Sequence, residues 1–188
     1  MDISGYFNTV LSRFVPRESD WKFVTSAGAM LSVATPVAHL GVVGAGGALW
    51  VKRDADPSPT RLTFGSIGGT LGLSLIPSPV NFSFSIPEMP SSGTLYSLFA
   101  AGRTLTRDEL SGAMIAYEVG ADFGPGVSGC LMFIGGNWSL ASAVMGPGAA
   151  LAIPVLVASS KAVVRFGGMT ATVLPANVSG NFYIGYIH

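Results

Sequence analysis

The chain has 188 residues, enough for one domain with a buried core; 49% of them are hydrophobic and 11% charged, where a typical soluble domain carries about 25% charge. That composition excludes intrinsic disorder. Ten Lys and Arg balance ten Asp and Glu, so no basic field exists to gather phosphates and no nucleic acid partner is expected, and a single cysteine, Cys130, rules out an internal disulfide or a cysteine-built zinc site.

Taken in chain order, Asp2 caps a first helix in which Ile3, Phe7, Val10, Leu11 and Phe14 recur at helical spacing, and Pro16 ends it. Its apolar face carries two phenylalanines, which suits either packing on the domain or lying in a membrane interface. A charged segment, Arg17 to Lys22, closes this N-terminal part (1–22), and 23–188 reads as one β domain with no internal boundary. The apolar run at 24–38 follows acids and bases alike instead of a short basic region, so it does not read as a cleavable secretory signal.

From residue 23 onward the pattern is short runs of period two, broken by Gly, Pro, Asn and Ser, which is strand behaviour. Runs at 40–53, 60–76, 80–86, 113–123, 127–134, 151–158, 161–166, 169–174 and 182–187 predict roughly nine strands, within the range of an antiparallel β-sandwich or a β-barrel. In 80–86 the apolar Val80, Phe82, Phe84 and Ile86 alternate with polar residues. In 60–76 the apolar positions change phase: Leu62 and Phe64 share one face, while Ile67, Leu71, Leu73 and Leu75 share the other. A phase change there implies a bulge, a bend or two strands. The stretch 91–111 reads as an exposed excursion with one helical turn at 106–110, where Thr106 and Glu109 have capping-box spacing. No fixed period relates the glycine-rich stretches, so a solenoid is not indicated.

Charge is absent from 23–51, limited to Glu88 in 62–102, and limited to Lys161 and Arg165 in 123–188. Those stretches face a core, a partner or lipid over much of their surface. Glycines and prolines disfavour a helical membrane span; the best remaining segment, 140–158, contains Pro147, Gly148 and Pro154.

Catalytic chemistry finds little support. His39 and His188 lack metal-ligand neighbours at useful spacing, and Cys130 sits in an apolar run where a small core residue is expected. Glu118 and Asp122 share one strand face opposite Ile115, Tyr117 and Val119, but four residues of strand separate them by roughly 13 Å, too far for a glycosidase pair. Gly44-Ala-Gly46 lacks a third glycine, and Gly126-Val-Ser128-Gly129-Cys130 lacks the last glycine of a nucleophile elbow. Sequons occur at Asn81, Asn137 and Asn177, and matter only for a secreted eukaryotic protein.

The expectation is a non-enzymatic β-rich protein without cofactor or metal that engages membranes or lipids, with a pore-forming or toxin-like domain as one form of that reading. It would be secreted or membrane-associated without a recognisable cleavable signal, and would form homo-oligomers. The residues expected to contact lipid or a partner are Ile3, Phe7, Val10, Leu11 and Phe14 of the helix, with Trp50, Trp138, Tyr183 and Tyr186 as aromatics near strand ends. The competing expectation is a structural or interaction module whose neutral surfaces are buried in a homo-oligomer, shell or fibre. Outer-membrane barrels have polar lumens, whereas here many positions on both strand faces are small or apolar.

Overall fold

A computed structural model describes residues 17–34, 40–74, 93–98, 104–122, 125–144, 149–171 and 177–188. The expected N-terminal helix with Ile3, Phe7, Val10, Leu11 and Phe14, and the expected strand 80–86, lie outside the described residues. The strands are β1 (Arg17–Ala34), β2 (Leu40–Arg53), β3 (Thr60–Ser74), β4 (Gly93–Ser97), β5 (Gly112–Asp122), β6 (Pro125–Gly136), β7 (Ala162–Ala171) and β8 (Asn177–Ile187). Every pairing is antiparallel, and the order β1-β2-β3-β8-β5-β6-β7-β4 closes on itself. Of the two expected architectures, the barrel is therefore the one formed.

One end of the barrel is packed solid. Trp21, Phe23, Leu49, Val51, Leu62, Leu95, Met114, Met132, Ile134, Val164 and Ile187 point inward as one cluster, as expected of an eight-stranded barrel, whose interior is just wide enough for side chains to fill. Leu105 and Leu110, from the connection before β5, cap this core, and the Trp21 indole donates to the Leu105 carbonyl at 2.9 Å. The Asp54 to Pro59 connection is held by Arg53, which bonds both carboxylate oxygens of Asp56 at 3.0 Å and lies over the Trp21 ring at 5.0 Å. The bidentate bond, before any other influence, holds the Asp56 carboxyl below the usual carboxylate range.

Two helices, α1 (Trp138–Val144) and α2 (Ala149–Ser159), pack on the outside of this end. They cover Ala113, Ile115, Leu131, Phe133, Val163 and Ile184, an outward-facing apolar set that otherwise meets water. Asn137 caps α1 through a 2.9 Å bond from the Ser139 amide, and Ser159 Oγ accepts the Asn137 amide at the base of the hairpin. Gly135, near the end of β6, takes φ +72°; a Cβ there would run into the Glu109 carbonyl.

Several expectations are corrected. Residues 151–158 are helical, not a strand: the run is apolar on every side, so periodicity cannot separate strand from helix, and it docks on the apolar outer wall. No helix among the described residues is long and apolar enough to cross a membrane. The runs 161–166 and 169–174 merge into β7, and 17–22 belongs to β1, with Trp21 in the core. The described parts of 91–111 are no exposed excursion, because they supply β4 and the buried Leu95, Leu105 and Leu110. The turn expected at 106–110 is present as a 3₁₀ turn at Asp108–Leu110, with Glu109 accepting from the Thr106 amide and hydroxyl at 3.0 and 3.2 Å.

Candidate functional site

The phase change in 60–76 has an unexpected origin. β3 keeps one register with β2 from Thr60 to Leu71 and with β8 from Phe64 to Ser74, so it contains no bulge, bend or break against either neighbour. Leu62 is buried inside the barrel, whereas Ile67, in the opposite phase of the same strand, is 56% exposed on the outside. The strand continues unchanged while its apolar residues move from the inner face to the outer one. Ser66, half-buried and in phase with Leu62, donates to the Ala45 carbonyl at 3.2 Å.

The same inversion runs through the ladder. By the period of two, positions on β3 in phase with Leu62 and Ser66 are Gly68, Thr70, Gly72 and Ser74, and those in phase with Ile67 are Gly69, Leu71 and Leu73. On β8, Asn181, Ser179 and Asn177 share the strand phase of Tyr183 and Ile187, and Phe182, Gly180 and Val178 share that of Tyr186 and Ile184. On β5, Glu118, Gly120 and Asp122 share the strand phase of the buried Met114 and Ala116, and Val119 and Ala121 share that of Ile115 and Tyr117. On β6, Ser128 and Gly126 share the strand phase of Met132 and Cys130, and Gly129, Val127 and Pro125 share that of Leu131. β7 adds Gly168 and Thr170 to the inner phase and Gly167, Met169 and Ala171 to the outer one.

After the register shift between Phe23 and Thr25, β1 and β2 pair Leu31 with Gly44 and Val33 with Val42 in the outer phase, and Ser32 with Val43 in the inner phase. Met30, Val43 and Phe166 are the large apolar exceptions on the inner phase. Among the described residues no charged one occupies the outer phase of this far end; Arg165 marks its lower limit on β7.

The boundary between the two halves of the interior is a polar contact. Tyr183, 4% exposed, donates its hydroxyl to Glu118 Oε2 at 2.9 Å, and Glu118 is paired in register with Cys130 and Asn181. Cys130 is a free thiol packed against the edge of the inner core. Among the described residues no group of three or more His, Cys, Asp or Glu is brought together as a metal site.

The expected contact residues separate by location. Trp138 opens α1 at 49% exposed, and its ring meets Tyr186, 43% exposed, edge to face at 5.7 Å. Tyr186 stacks on His188 at 5.9 Å, and His188 Nε2 lies 2.9 Å from Thr63 Oγ1. Trp50 stands outward on β2, with the Arg61 guanidinium 5.8 Å from its ring centre. Tyr183 instead points into the barrel. Sequence reasoning passed over Ile67, Arg61 and His188 as contact residues, and also the Glu118 to Tyr183 bond. The phase change in 60–76 was the signal for the first of these. No family model, curated protein or solved structure matches this chain.

Proposed function

We propose that this protein engages lipid bilayers by burying the apolar-outside end of its barrel, while the packed end and its helical hairpin stay at the water side. One observation carries the reading: along β3 and β8, whose mutual register is unbroken, the outer phase becomes uncharged and apolar beyond the point where the inner phase becomes small and polar, and the other long strands follow the same pattern apart from Met30, Val43 and Phe166. Alternation of that sense is the signature of strands that face hydrocarbon outside and polar groups inside. An isolated protein partner covers a patch; this apolar outer phase recurs on the long strands beyond the packed end, as a lipid annulus requires. Residues 65–74 of β3 rise roughly 30 Å along the strand at about 3.3 Å per residue. At a tilt near 40° that is about 23 Å along the barrel axis, close to the band of about 25 Å in membrane barrels.

The packed end is filled by Trp21, Leu49, Leu62 and Ile134, which favours insertion without conduction by one copy; a pore would require several. Flotation with neutral and anionic vesicles, beside light scattering in detergent-free buffer, tests it. The protein is expected to float, and Ile67→Glu, at a position already open to solvent, is expected to weaken partitioning by about tenfold or more while leaving the fold intact. A soluble particle of fixed mass that ignores vesicles would instead support burial of the same apolar end between copies of this chain.

A further inference from the structure

We infer that the row Trp50, Arg61, Thr63, His188, Tyr186 and Trp138 seats the phosphate-bearing headgroups of phospholipids and so sets the depth to which the barrel enters a bilayer. This rests on the membrane reading above. The row lies immediately below the apolar annulus: on β3, outward Thr63 and Arg61 precede Gly65 and Ile67, Tyr186 pairs with Gly65, and Trp50 pairs with Arg61. Its members are linked side to side. Arg61 lies over Trp50, Thr63 meets His188, His188 stacks on Tyr186, and Tyr186 meets Trp138.

Two large aromatics left 49% and 43% exposed beside each other are costly in water, whereas the amphipathic rings of Trp and Tyr favour the headgroup level of a bilayer. Arg61 has no acidic partner among the described residues, in contrast to Lys22 and Arg53, which are tied to Asp54 and Asp56. A guanidinium held outward over an aromatic ring, with no carboxylate bonded to it among the described residues, is suited to donate to a phosphate ester. Below the row come Lys52, Asp54 and Asp56, which suit water, so the row is the transition between the two media.

The test reads the depth of Trp138 and Trp50 with phosphatidylcholine vesicles brominated either near the headgroup or deep in the chain. Trp138→Phe and Trp50→Phe supply each ring's contribution by difference, and Trp21, enclosed by the barrel wall, serves as an unquenched reference. Shallow bromine is expected to quench Trp138 and Trp50 more strongly than deep bromine. Arg61→Gln is expected to weaken binding to phosphatidylcholine by about fivefold and to leave binding to vesicles of a phosphate-free galactolipid unchanged. A protein that floats while Trp138 stays as accessible to aqueous acrylamide as it is in buffer, or whose Arg61→Gln variant loses affinity equally for both vesicles, overturns the headgroup role and leaves the annulus standing. Failure to float at all removes both.

Discussion

Leu62 and Ile67 lie five residues apart on one uninterrupted strand, and the inverted barrel requires their truncation to have opposite consequences. Leu62 is 1% exposed within the inner cluster, so Leu62→Ala leaves a cavity among Trp21, Leu49 and Ile187. Such substitutions cost about 3 kcal/mol, which for a domain of this size is a fall in Tm of roughly 6–12 °C. Ile67 is 56% exposed, so Ile67→Ala removes little that folding buried, and its cost stays under about 0.5 kcal/mol. The order reverses at a membrane. Full burial of an isoleucine side chain is worth roughly 2 kcal/mol, and a little over half of that surface remains to be covered. Ile67→Ala therefore loses about 1 kcal/mol of partitioning, close to fivefold in affinity. Denaturant unfolding monitored by tryptophan emission gives the first pair of numbers and vesicle titration the second. An Ile67→Ala variant that costs as much stability as Leu62→Ala, or an equal loss of vesicle affinity in the two variants, would refute the inverted barrel.

Gly135→Ala is expected to destabilise by more than about 2 kcal/mol, because φ is +72° and the new methyl group meets the Glu109 carbonyl. Gly65→Ala, whose Cβ meets nothing within 4 Å, should change stability by less than about 0.5 kcal/mol in the same unfolding assay. Tyr183→Phe removes the 2.9 Å hydroxyl bond to Glu118 and is expected to cost about 2 kcal/mol; a double-mutant cycle with Glu118→Gln should show most of that cost disappearing once the carboxylate is gone. For pH, the folded-state pKa of Asp56 is held down by Arg53. The contribution of the pair is therefore complete above the unfolded carboxylate value, near pH 4, and is lost as pH falls through the lower folded value. A stability profile of Asp56→Asn should lack that part of the acid limb and coincide in shape with the parent above about pH 5.

Much of this architecture was legible in the residues. The edges of β2 and β5, the 3₁₀ turn and its Thr106 to Glu109 cap, and the shared face of Glu118 and the Asp122 position follow from period two and local side-chain chemistry, which act over a few residues. The helix at 149–159 was not legible, because a short run that is apolar all round satisfies both periods until a neighbouring surface selects one. β4 was missed for a similar reason: its alternation is brief, and its burial comes from β1 and β7, distant in sequence. Trp138 and Tyr186 were each identifiable as aromatics near strand ends, but their contact across 48 positions of chain was not.

Period-two alternation, sparse charge and the phase change in 60–76 are properties of the sequence alone, and they already contain both an apolar-inside half and an apolar-outside half. Alternation specifies which residues share a face; it carries no information about which face the sheet turns inward. Closure of the ladder between β4 and its neighbours β1 and β7 made that choice, since only a closed wall has an inside. Once Trp21, Leu62 and Ile134 filled one end, the unbroken register of β3 and β8 obliged the phase of Ile67 to face outward at the other.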